Sequence, residues 1–162
     1  MKIEEEYKLF QEALDIDSPW YIIDHELSAP KKRLDIYITF KRGSKFRCPN
    51  CGNANNEIHD IVNDDRRWRH INFFEYHTYI HAKHPRIKCR RCQKIRSIEV
   101  EWARKSCSFT WKFEADVMEL MKEMPVVAVA RRVGEHDTRL WRIFHYYVNR
   151  TMKQMDFQLR QA

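Results

Sequence analysis

Four of the five cysteines in this 162-residue chain fall into two Cys-x-x-Cys pairs, Cys48-Pro-Asn-Cys51-Gly52 and Cys89-Arg-Arg-Cys92. Two intervening residues let both sulfurs of a pair reach one ion from a tight turn. Two such pairs supply the four thiolates of a tetrahedral zinc site. Pro49 pre-sets the first turn, and Gly52 permits left-handed backbone just after it. Four protein ligands close the coordination shell, so the single zinc ion expected here is structural and leaves no open position for a catalytic water. The 37 residues between the pairs exceed the usual ribbon spacing, so that loop must hold strands of its own. The alternative reading is two disulfides. It fits poorly with the lack of a secretory segment and with a fifth cysteine, Cys107, left over. Cys107 reads as a small core residue or an ordinary surface thiol.

The second constellation spans residues 126–145. A helix-turn-helix needs a small residue where two helices cross, then Gly four residues later to end the first helix in a left-handed conformation. Apolar residues must then recur on the inner face of the second helix. Ala130, Gly134, Leu140 and Ile143 meet those requirements, and Val129 and Val133 face the same core. Pro125 suits the start of the first helix, and Asp137 is a better cap than His136 for the second. By this geometry the second helix lays its N-terminal half in the major groove. His136, Thr138, Trp141, Arg142 and His145 then face DNA, while Leu140 and Ile143 point inward. Arg142 is the candidate for bidentate guanine readout. Arg131, Arg132 and Arg139 are placed for phosphates. Trp141 has a second reading as an anchor for a partner domain, and the whole segment has one as a plain three-helix bundle.

A third stretch, 66–88, interleaves Arg, aromatic and His residues. Arg66, Arg67 and Arg69 are candidate phosphate contacts. His70, His77, His81 and His84, with His59 upstream, could be metal ligands. Because Tyr76, Thr78, Ile80 and Ala82 alternate with His77, Tyr79, His81 and Lys83, the period-two reading makes the histidines a solvated strand face instead.

The elements that must position these groups follow from periodicity. Ile3, Tyr7, Phe10 and Leu14 recur at helical spacing and predict a short amphipathic helix. Residues 20–28 and 33–40 read as a β-hairpin across the turn Ser28-Ala-Pro-Lys-Lys32. The stretch 66–88 is β-rich, residues 96–101 add a closing strand, and a supporting helix runs from about 110 to 123. The chain is 43% hydrophobic with five tryptophans, which argues for packed cores. No run of 18 apolar residues exists and the start is acidic, so neither a membrane span nor a leader is expected, and the setting is cytoplasmic. Charge divides unevenly: residues 1–30 carry two Lys/Arg against eight Asp/Glu, and residues 31–162 carry 28 against 15. A basic body with an acidic leader points to a polyanion, namely double-stranded DNA. No small-molecule substrate is expected.

With these residues in view, the chain resembles the N-terminal region of bacterial insertion-sequence transposases of the ISL-three (ISL3) family. The matching segments are Asp17-Ser-Pro-Trp20, the Cys48–Gly52 knuckle, Arg67-Trp-Arg-His70 and Pro85-Arg-Ile-Lys-Cys89-Arg-Arg-Cys92. They continue with Trp102-Ala-Arg104, Phe109-Thr110 and Val129-Ala-Arg-Arg-Val-Gly134. The resemblance implies a zinc ribbon followed by a helix-turn-helix, together recognising terminal inverted repeats in DNA transposition, with a synaptic dimer as a further partner state. It also implies a ribonuclease-H-like domain that binds magnesium for strand transfer. That domain is expected to be absent here, so no catalytic residue is carried over and this chain alone is not expected to be an enzyme. The expected class is α+β: an N-terminal helix, hairpin and zinc ribbon over 1–104, a tri-helical helix-turn-helix unit over 105–150, and a tail or linker over 151–162. The alternative is a free-standing zinc-ribbon/helix-turn-helix regulator or transposition inhibitor, and a third reading is a protein-interaction scaffold. A transposase of this kind would act at the bacterial nucleoid.

Overall fold

The computed structural model describes residues 2–161, with side chains for 7–158 and for Arg160. The fold is α+β and divides between Trp111 and Lys112 into two compact units. The first unit holds α1 (Lys2–Leu14), β1 (Trp20–Ser28), β2 (Arg33–Phe40), β3 (Lys45–Phe46), β4 (Asn56–Arg69), β5 (His77–Lys88) and β6 (Ile95–Ser97). The second is built on α2 (Trp111–Glu123), α3 (Val126–Val133) and α4 (Asp137–Gln161).

The strands form one six-stranded sheet in the order β1-β2-β5-β4-β3, with β6 also paired to β5. β1 and β2 make the expected antiparallel hairpin. β2 then lies parallel to β5, Arg33 opposite His77 through Ile38 opposite Ala82, so the hairpin and the ribbon share one sheet. β4 and β5 are antiparallel, with register shifts between Ile58 and Asp60 and between Val62 and Asp65. β5 is therefore central, with β4 along one edge and β2 followed by β6 along the other.

Alternation on β2 sends Leu34, Ile36 and Ile38 into the core, where they meet Trp68, Ile80, Ala82 and Ile87. The packing is closed by aromatic edges. Trp102 meets Trp20 at 4.9 Å and 87° and Trp68 at 5.4 Å and 89°, and Trp20 also packs on Phe40 and Phe46. Edge-to-face pairs of this kind contribute about 0.5–1.5 kcal/mol each beyond area burial. α1 adds Leu14 to the core, with Tyr7 and Phe10 packed against it. The side chain of Ile3 lies outside the described residues.

The opposite sheet face is not the solvated histidine face that alternation predicts. His81 is buried, with Nε2 2.5 Å from Asp35 and Nδ1 3.0 Å from Asp65. His84 is buried too, but on the core face, in line with Ile80 and Ala82. A central strand has neighbours on both edges, and their side chains cover positions that an edge strand would leave wet.

In the second unit Val117, Val129, Val133, Leu140 and Ile143 are buried, and the Tyr147 hydroxyl donates to the fully buried Glu114 carboxylate at 2.9 Å, tying α4 to α2. α4 runs on to Gln161, so residues 151–161, expected as a tail, are helix. The segment Thr151–Gln161 contains no Gly or Pro to stop it.

Candidate metal centre and nucleic-acid interface

The two knuckles are built alike. In the first, Gly52 N–H donates to the Cys48 carbonyl at 2.9 Å and Cys48 N–H to Asn53. In the second, Gln93 N–H donates to the Cys89 carbonyl at 2.9 Å and Cys89 N–H to Lys94. Gly52 (φ 71) and Gln93 (φ 55) occupy equivalent left-handed positions. Glycine does so without steric strain, and Gln93 is held there by the turn.

These turns bring Cys48, Cys51, Cys89 and Cys92 together with all four sulfurs within 4.8 Å of one another. Cys51 and Cys89 lie 3.4 Å apart and Cys48 and Cys92 3.9 Å apart. A tetrahedron with zinc–sulfur bonds of about 2.3 Å has sulfur–sulfur edges of about 3.8 Å. The donor set therefore fits one structural zinc. The first cysteine of each knuckle has its thiol pKa lowered. The Cys92 amide brings the Cys89 thiol down to about 6, and the Cys51 amide lowers Cys48. At Cys51 the Asn53 amide acts in the same sense, but burial and the neighbouring sulfurs outweigh it and hold the thiol up at about 11. Cys107 is buried elsewhere, its sulfur accepting from Phe109 N–H at 3.4 Å.

One residue of this centre escaped the sequence reading. Asn56 is fully buried and clamps both knuckles. Its Nδ2 donates to the Phe46 and Asn53 carbonyls, and its Oδ1 accepts from Asn53 Nδ2 at 3.0 Å and from Arg90 N–H at 3.2 Å. The only signal was a cluster of three Asn (Asn53, Asn55, Asn56) soon after the first knuckle, which spacing alone cannot distinguish from turn residues.

The candidate DNA contacts divide three ways. Arg131 and Arg132 at the end of α3, and His136, Thr138, Trp141, Arg142 and His145 around the start of α4, are all exposed. Leu140 and Ile143 are fully buried beneath them. Gly134 ends α3 in the left-handed region (φ 71, ψ 37), with its N–H on the Ala130 carbonyl. The His136 carbonyl accepts the first bonds of α4, and the Asp137 carboxylate takes the Thr138 N–H at 2.8 Å. Trp141 stacks on His145 one turn later. Arg139 is different: it is ion-paired to the Glu135 side chain, itself buried. On the sheet, Arg66 and Arg67 are exposed, with guanidiniums over the Trp68 and Tyr79 rings.

Arg69 cannot contact a phosphate. It is 1% exposed, and its guanidinium donates to the His70 and Thr78 carbonyls and to Asn72 Oδ1. Its backbone pairs with Ser108 and Thr110, and His70 Nδ1 lies 2.8 Å from Thr110 Oγ1. Arg69 and His70 are a staple between β4 and residues 108–110, not an interface. Among the described residues no histidine joins a metal-ligating cluster.

Comparison with known families gives two matches. Residues 44–92 match the model described as the zinc-finger of transposase IS204/IS1001/IS1096/IS1165, and residues 98–148 match the helix-turn-helix domain of transposase family ISL3. The chain carries the zinc-ribbon and helix-turn-helix domains of the ISL3 transposases. The ISL3 zinc-finger match begins beside β3 and ends on the last ligand, Cys92, so it contains all four sulfurs. The ISL3 helix-turn-helix match takes in α2, α3 and the first half of α4. Both are DNA-binding domains. No curated protein and no solved structure matches the chain. Among the described residues no helix is long and apolar enough to cross a membrane.

Proposed function

We propose that this chain binds duplex DNA in a sequence-specific way, at the terminal inverted repeats of a mobile element, as the end-recognition part of a transposase. The observation that carries the reading is the start of α4. Thr138, Arg142 and His145 fall on its outer face while Leu140 and Ile143 fill the unit's core. A left-handed glycine turns the chain immediately before it. That arrangement leaves the N-terminal half of a helix free to enter a major groove. Arg131 and Arg132 add exposed cations at the end of the preceding helix, suited to phosphates on the groove's edge. Arg139 is held in an ion pair with Glu135 of the preceding turn and is a weaker candidate. Arg66 and Arg67 add exposed cations on the ribbon unit itself. The reading carries with it action at the bacterial nucleoid, and pairing of two copies when two element ends are joined.

Two substitutions test it. A guanidinium at position 142 can make two parallel hydrogen bonds to guanine N7 and O6, worth about 1–3 kcal/mol in discrimination. Arg142→Ala is expected to flatten preference at one base position with thermal stability unchanged. Leu140→Ala empties a fully buried position and is expected to cost roughly 2–5 kcal/mol of stability. Melting temperature and binding to a randomised duplex pool are measured for both. A stable Leu140→Ala variant beside an unfolded Arg142→Ala variant would overturn the helix-face assignment.

A further inference from the structure

Beside the first knuckle, the ribbon unit holds a cleft of about 300 Å³ reaching from Pro49 to Cys107. Its chemistry is cationic: Arg66, Arg96 and Lys105 line it against one carboxylate, Glu99. Neither Arg66 nor Arg96 has a carboxylate partner among the described residues. Lys105 reaches Glu99 only at 3.8 Å with both side chains largely exposed, a pair that contributes little. Arg66 is steadied over the Trp68 ring, 5.7 Å from its centroid. Unpaired cations converging on a concavity are a costly arrangement unless an anion completes it.

A second, independent feature points the same way. His84 lines the cleft, is 7% exposed, and its Nδ1 has no hydrogen-bond partner in the protein. Buried polar atoms are rarely left so, and such an exception points to a missing ligand. Burial, then the Arg66 charge, holds His84 below the ordinary histidine value, while the Ile98 backbone acts in the opposite sense. An anionic oxygen beside Nδ1 supplies the absent partner and offsets the Arg66 charge.

We propose that this cleft is a phosphate-binding site, occupied in the DNA complex by one or two backbone phosphates. Its position on the ribbon unit, apart from helices α2 to α4, gives that unit a positioning role with no base readout. The choice of DNA as the phosphate's source rests on the DNA-binding reading above; the phosphate chemistry of the cleft does not.

The test uses the zinc-loaded full chain and the double variant Arg96→Ala, Lys105→Ala. Both residues are exposed, and equal zinc content confirms equal folding. Duplex affinity is followed against salt, and the His84 ring nitrogens are followed by NMR during titration with inorganic phosphate. The slope of log affinity on log salt is expected to become shallower in the variant by about 0.9 for each phosphate that is no longer neutralised. Phosphate is expected to move the His84 signal towards imidazolium in the wild type and not in the variant. An unmoved His84 overturns the site, even if the slope changes, because the basic rim is then only steering. A moved His84 with an unchanged slope upholds the site and assigns it to free phosphate. If the wild type binds no DNA yet His84 still responds, the DNA reading fails and the phosphate site stands.

Discussion

Asn56 does at the metal centre what no cysteine can do for itself. Each knuckle is a local turn, but zinc needs two knuckles at one separation. A single buried amide spans them by bonding Asn53 after the first and the Arg90 amide within the second. Asn56→Ala is therefore expected to weaken zinc affinity by about 10–100-fold, the usual range for supporting groups around a metal. It also leaves buried groups without partners at about 1–3 kcal/mol each. Competition against a chelator of known affinity measures the first effect, and an unchanged zinc constant would remove Asn56 from the centre. The same scale explains why the segment Arg67–His70 mixes roles. Arg67 is exposed, Trp68 is core, and Arg69 and His70 are a buried staple. Alternation separates Trp68 from Arg67, and the backbone bonds to Ser108 and Thr110 cover Arg69, so neighbours in sequence need not share a function.

At the scale of elements, β5 organises the first unit. Its burial on both faces places His81 between Asp35 on β2 and Asp65 on β4, with Tyr37 stacked 4.8 Å from the imidazole. Burial pushes the Asp35 carboxyl up, but hydrogen bonds from Arg33 and His81 outweigh it, and the net value is lowered. A carboxylate depressed in this way contributes stability above its unfolded value of about 3.9, and that contribution is lost as pH falls through the lower folded value. Asp35→Asn is therefore expected to cost about 1–3 kcal/mol at neutral pH. The gap between variant and wild type should close only below about pH 4. Denaturant unfolding of both proteins across pH measures the gap, and protonation of the zinc thiolates, common to both, cancels in the difference. A gap that persisted unchanged at the lowest pH would show that Asp35 acts by packing and not by charge.

For the whole molecule, the two units draw on different sources of stability. The ribbon unit holds every cysteine and, with Trp20, Trp68, Trp102 and Trp111, four of the five tryptophans. The helical unit has its own apolar core and, among its described residues, no part in the metal-ligating cluster. Zinc binding is folding free energy for small ribbons. Chelation, or Cys51→Ser, is expected to unfold residues 41–100 and abolish most tryptophan signal while leaving helical circular dichroism largely in place. Metal analysis should give one zinc per folded chain. Simultaneous loss of helix and ribbon signal on chelation would mean that the two units fold as one.

Local features were legible from residue order alone. Two Cys-x-x-Cys turns, the Ala130–Gly134–Leu140–Ile143 spacing and the hairpin between β1 and β2 each depend on a few neighbouring residues, whose dihedral and side-chain preferences act at short range. Even the continuation of α4 to Gln161 was readable in principle, since nothing between Thr151 and Gln161 breaks a helix. The tertiary structure decided what depends on distant pairing. The parallel registry of β2 with β5 joins residues 33–38 to residues 77–82 across the first knuckle, and no local pattern encodes it. That one pairing makes β5 a central strand, which buries His81 with Asp35. The staple to residues 108–110 takes Arg69 out of solvent. The register of β4 against β5 puts Arg66 and Trp68 on one face with His84. Burial, and with it the division between residues that hold the fold and residues that can meet a ligand, is a property of pairings made far along the chain.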